Sequence, residues 1–151
     1  MRQHVIVACA FAGMAAALSG CSSMGSAAKA VSAYEQLGGS SNLTKVASGF
    51  VGSSLKDPRL SELTAGKSID ATAATGKVSN QLCSLLGGGC QAPLTDSQLT
   101  AAASKVSPDQ SKAISENFGS ALNSVVSDPK VRDLVTKTVG SKLPGVFGAI
   151  L

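Results

Sequence analysis

The chain has 151 residues, with 13 Lys and Arg against 9 Asp and Glu, and a formal net charge of +4 that falls to +3 without Arg2. The basic residues are scattered, with no basic cluster and no interleaved aromatics, which argues against a nucleic-acid partner. Aromatic residues make up 3% of the chain and Trp is absent, so any core must be built chiefly from Leu, Val, Ile and Ala.

Arg2 and His4 open the chain with a short positive start, followed by an apolar run over residues 5–18. That run is short of the about 20 apolar residues a bilayer-spanning helix needs. It ends in Leu18-Ser19-Gly20-Cys21, and a Ser/Gly/Ala-rich stretch follows. Small residues before the cysteine let the chain enter a peptidase site in extended form, and the Cys21 thiol is a nucleophile that can be thioether-linked to diacylglycerol. This order of charge, apolar run, box and small-residue stretch resembles the lipobox of bacterial lipoproteins. The resemblance implies that residues 1–20 are a cleaved signal peptide and that lipidated Cys21 is the partner-seeking end, inserted in a membrane. More than one acyl chain makes such attachment stable where a single chain is marginal. An Asp after the cysteine goes with retention at the inner membrane. Ser22 stands there instead, pointing to the outer membrane and a domain facing the periplasm. The other reading is an ordinary secretory signal that happens to end near a cysteine.

Residues 21–30 read as a flexible tether, and 31–151 as one domain. Residues 31–37 carry a brief helical signal ended by Gly38-Gly39. Ser40 or Ser41 can cap the next helix, on which Leu43, Val46, Ala47 and Phe50 share a face, and which should end near Lys56. Asp57-Pro58-Arg59-Leu60 is a turn, and Gly66 breaks a short segment around Leu63. Residues 68–86 read as a helix weakened in its first half by Thr72, Thr75 and Gly76, with Val78, Leu82 and Leu85/Leu86 as its stripe. Gly87-Gly88-Gly89 stops it and lets Cys83 and Cys90 approach. In an oxidising compartment these two should form a disulfide; a redox-active pair is the alternative, although the spacing is not Cys-x-x-Cys. Thr95 or Asp96 can cap a helix running to Val106. Ser107-Pro108-Asp109-Gln110 is a cap, a first-turn proline and a capping-box glutamine in order, opening the best amphipathic helix through Ile114, Phe118, Leu122 and Val125. Ser127-Asp128-Pro129 starts another, ended by Gly140 and Pro144. The apolar tail 146–151 should pack on the core. No stretch alternates as a strand does, so the fold class is all-α, about six helices.

Tyr34-Glu35-Gln36-Leu37-Gly38-Gly39 resembles the opening of the truncated haemoglobins, the short two-over-two globins. Phe50, followed seven residues later by Asp57-Pro58-Arg59-Leu60, is similar to their second helix and its turn. Gln81-Leu82-Cys83 with Gly87-Gly88-Gly89-Cys90 resembles the cysteine-bearing helix end of their first group, and Ser107-Pro108-Asp109-Gln110 stands where their penultimate helix begins. These matches keep register over residues 34–139, implying a two-over-two globin-like helical domain. The family holds haem iron by a histidine eleven residues after the second cysteine; that position is Ala101 here, and the distal tyrosine position is Val51. Leu63 and Thr64 replace the aromatics that wall the haem. His4, inside the signal, is the sole histidine of the chain. A methyl group offers iron no lone pair, and the remaining axial-ligand types are poorly placed: Cys83 and Cys90 are expected to be oxidised, Met24 is in the tether and Tyr34 lies on the first short helix.

Three function classes follow. One is a structural or interaction lipoprotein with a degenerate globin-like domain, no cofactor, and an unknown protein or apolar ligand as partner. The alternative is a haem or oxygen-binding protein with an unusual or missing proximal ligand. An enzyme is the least supported: without a histidine past the signal, Ser–His and Cys–His nucleophile pairs are excluded, and the aspartates sit at turns and helix starts, where capping accounts for them. No metal is expected, because no Cys/His cluster exists beyond Cys83 and Cys90.

Overall fold

The computed structural model describes residues 31–150, and among them every regular element is helical. The predicted signal peptide, Cys21 and the tether 21–30 lie outside the described residues, as does Leu151. The helices are α1 (Ala33–Leu37), α2 (Gly39–Ser54), a 3-10 turn (Pro58–Leu60), α3 (Ser61–Thr64), α4 (Ala71–Leu85), α5 (Asp96–Ala103), α6 (Pro108–Val125), α7 (Pro129–Val139), a second 3-10 turn (Gly140–Lys142) and α8 (Leu143–Ile150).

Local chemistry fixes most of these boundaries. Ser32 and Glu35 exchange hydrogen bonds at the start of α1, Thr95 and Gln98 at α5, and Ser107 and Gln110 at α6, three reciprocal capping boxes. Asp70 accepts from the Thr72 and Ala73 N–H groups, so α4 begins at Ala71 rather than Ser68. Asp128 accepts from the Lys130 N–H, with Pro129 in the first turn of α7. The expected cap at Ser40 or Ser41 is not used. Gly38 adopts φ +100°, ending α1 and opening α2 with no residue between them that could serve as a side-chain cap. Asn42 Nδ2 instead donates to the Leu37 carbonyl across the junction at 2.9 Å. α5 stops at Ala103, short of Val106.

The C-terminal end departs most from the sequence expectation. Pro144 does not end the helical structure but sits in the first turn of α8, where its missing N–H is no loss. The tail does pack on the core, as expected, and it does so as a helix: Leu143, Gly145, Val146 and Phe147 are buried.

α2 is the central element, packed along α4 on one side and α6 on the other, while α8 lies along α5 and also meets α4 and α6. Phe50 of α2 is fully buried, with its ring centroid 5.6 Å from Phe118 of α6 and 6.2 Å from Phe147 of α8, both edge-to-face. Leu43, Val46, Val78, Leu82, Leu99, Ile114 and Leu122 fill the space around them. α8 approaches α5 closely because two of its residues lack side chains. A Cβ on Gly145 would overlap the Leu99 carbonyl, and one on Gly148 would stand 3.2 Å from the Ala102 carbonyl oxygen.

The same substitution should therefore have opposite signs at two helical glycines. At Gly119 nothing lies within 4 Å of an added Cβ, so Gly119→Ala should stabilise by about 0.5–1 kcal/mol through backbone entropy. Gly145→Ala should destabilise by more than that gain, because the collision is with backbone. Urea denaturation midpoints of the two variants against wild type check this. Ser54 offers a related test. Its buried Oγ has no hydrogen-bond partner, so Ser54→Ala should raise stability by about 1 kcal/mol in the same assay.

Candidate functional site

The positions singled out by the globin resemblance do not share one pocket: Val51 lines an open groove between α2 and α4, and Ala101, Leu63 and Thr64 do not. Val51 is fully buried in α2, beside Phe50. Ala101 is exposed on α5, because Leu99 and the Ala102 backbone are the parts of that helix that face the core and α8. Leu63 and Thr64 are partly buried on α3. Among the described residues no three His, Cys, Asp or Glu side chains come together in a group able to hold a metal ion.

Cys83 and Cys90 are joined by a disulfide, with their Cα atoms 5.6 Å apart. Cys83 is buried at the end of α4 and Cys90 is partly exposed in the following loop. The loop turns on Gly87 (φ +82°) and Gly89 (φ +72°), conformations that cost glycine no Cβ strain. Closing so short a loop contributes roughly 2–3 kcal/mol on chain-entropy grounds. Gln81, also buried in α4, accepts the Leu94 N–H at 2.9 Å and so fixes the loop's exit.

Asp57 proves to be more than a cap. Besides accepting the Arg59 N–H, its Oδ2 meets Arg59 Nη2 at 2.8 Å and accepts Asn117 Nδ2 at 3.0 Å, while Arg59 Nε donates to Oδ1 at 3.1 Å. Arg59 Nη1 reaches on to Glu116 at 2.7 Å. The turn after α2 is thus tied to α6 by a forked guanidinium, the geometry that suits arginine to paired carboxylates. The Arg59 side chain, then its backbone N–H and Asn117, hold the Asp57 carboxyl down from 3.8 to about 2, against the opposing effect of burial; Arg59 is raised in turn. Sequence reading gave Asp57 and Arg59 only a turn. The partners Glu116 and Asn117 lie more than fifty residues away on α6, a distance no local pattern reveals. Three other aspartates are engaged too: Asp70 and Asp128 cap, and Asp96 pairs with Lys142 at 2.9 Å.

One feature escaped the sequence reading. The outer side of the α2–α4 pair holds an open groove of about 580 Å³, lined by Thr44, Ser48 and Gly52 from α2 and by Thr72, Gly76 and Asn80 from α4. Each set recurs every four residues, so each forms one helical stripe. No charged side chain lines it. The Thr and Gly residues that weaken α4 as a helix are those that leave this space. Their four-residue spacing was the available signal.

Comparison with known protein families, characterised proteins and solved structures finds no match to this chain. No described helix is long and apolar enough to cross a membrane.

The Asp57 carboxyl gives a pH prediction. Its folded-state value is depressed, so its contribution is complete above about pH 4 and is lost as pH falls through about 2. Urea midpoints measured from pH 5 to pH 2 should fall more steeply for wild type than for Asp57→Asn, which starts lower and has no charge to lose at this position.

Proposed function

We propose that this chain is a lipid-anchored module of the bacterial cell envelope, held at the outer membrane through Cys21 and facing the periplasm. In this reading its globin-like, two-over-two helical domain works as a structural or interaction unit without histidine-ligated haem. One observation carries it. The residue standing where the globin family places its iron ligand, Ala101, is a methyl group on the exposed side of α5, while the interior bounded by α2, α4, α5 and α6 is filled by α8 and its Phe147. The residues present do not fit a histidine-ligated macrocycle, and no step of any reaction is assigned to one. The helix order and the central place of α2 against α4 and α6 are compatible with the two-over-two arrangement. With the interior closed, contact with an unknown protein or apolar ligand falls to the surface, and the α2–α4 groove of about 580 Å³ is a concavity suited to it.

Haemin titrated into the domain should give no sharp Soret band at stoichiometric ratio, and Ala101→His should not create one, because that side chain faces outward. Near-stoichiometric uptake by the wild-type domain would instead establish the haem-binding alternative. For the anchor, the full chain should fractionate with membranes and the Cys21→Ala chain should not.

A further inference from the structure

We propose that the Cys83–Cys90 disulfide is a redox-sensitive clamp on α1, the first described helix and the point where the predicted tether enters the domain. α1 has five residues, far too few to hold helical structure by itself, so it persists only where it docks. It docks on α7, on α2 and on the disulfide loop. The Tyr34 N–H donates to the Leu86 carbonyl at 3.1 Å. Gly88 is held between the bridge and the tyrosine: a Cβ there would lie 2.6 Å from Cys83 Sγ and 2.7 Å from the Tyr34 ring. A Cβ on Gly87 would stand 3.4 Å from Ser32 Cβ, at the cap of α1. Leu37 adds one buried side chain.

The platform is three consecutive glycines, the residues with the most backbone freedom to regain. The Gly87 N–H bond to the Ser84 carbonyl at 3.2 Å, the Gly88 N–H bond to the Cys83 carbonyl at 2.8 Å and the bridge itself restrain them. Cys90 is the more accessible sulfur. A thiolate of an external dithiol attacks Cys90 Sγ, forming a mixed disulfide and expelling the Cys83 thiolate, which takes up a proton. The reagent's second thiol then resolves the mixed disulfide. Cys83 and Cys90 end as thiols, and the dithiol leaves as a disulfide, having supplied two electrons and two protons. The glycine loop then loses its fixed shape, and α1 loses the surface that holds Tyr34. Where the chain is anchored at Cys21, a consequence that rests on the lipoprotein reading, releasing residues 31–38 lengthens the tether by roughly 25 Å at the extension of an open chain.

The test is amide hydrogen exchange on the full chain in detergent, oxidised and after dithiothreitol, with the Cys21→Ala chain run beside it so that failure of the anchor is distinguishable from failure of the clamp. Reduction should accelerate exchange at Tyr34 and Gly88 by tenfold or more while Phe50 and Val78 keep their protection. Cys90→Ser should reproduce that pattern without reductant. Gly88→Ala should reproduce it at Tyr34 with the bridge intact, because its Cβ meets both Cys83 Sγ and the tyrosine ring. Unchanged Tyr34 exchange on reduction overturns the proposal. So does loss of protection at Phe50 and Val78 in step with Tyr34, which would make the bridge a staple of the whole domain.

Discussion

Phe50 is the contact on which the helical layers depend. It meets Phe118 and Phe147 edge-on, so α2, α6 and α8 share one aromatic centre. The three are all the phenylalanines of the described domain, and the chain places them together. Such pairs are worth about 0.5–1.5 kcal/mol beyond the area they bury. Truncating a buried phenylalanine costs about 3–5 kcal/mol, a large share of a typical domain's about 5–15 kcal/mol. The aliphatic shell of Leu, Val and Ile is replaceable in parts. The aromatic centre is not, because it joins the C-terminal helix to the middle of the fold.

That joining explains why α8 lies so close to α5. An apolar helix with a large residue at every position would be held off α5 by its side chains. Gly145 and Gly148 remove them on the facing side, so the backbones approach and Phe147 is carried down to Phe50. Close packing of this kind leaves few voids. What a globin reserves for its prosthetic group is, on the proposed reading, taken here by the protein's own last helix.

The all-α class was legible because no stretch alternates as a strand does and several helix starts carry their own chemistry: Ser107 with Gln110, Thr95 or Asp96, and Asp128 before Pro129. The disulfide was legible from two cysteines flanking three glycines, given the oxidising compartment that the lipobox resemblance implies. What was not legible depends on long-range approach. Ser40 and Ser41 are good caps in isolation, yet Gly38 reverses the chain so sharply that α2 begins before either could cap it. Pro144 reads as a stop, but in the first turn of a helix it is tolerated, and only burial of Val146 and Phe147 decides that such a helix forms. Arg59 bridges to Glu116 on α6, a pairing with no local trace. The α2–α4 groove lay in residues read as poor helix formers, because propensity registers what a residue costs its own helix and not the space it leaves beside it.

On the proposed reading, the residue type at Ala101 and its outward placement reinforce one another. Had it faced the interior, one substitution could restore a ligand position, and the resemblance to an oxygen carrier would remain chemically open. It lies on the solvent side of α5 because Leu99 is the side chain that anchors this short helix, and α8 covers the face behind it. Restoring a ligand would therefore require turning α5 and displacing α8, which means uncovering Leu99 and breaking the aromatic centre together. The closed interior is thus a self-consistent state of this sequence, and on the proposed reading any binding is left to the surface.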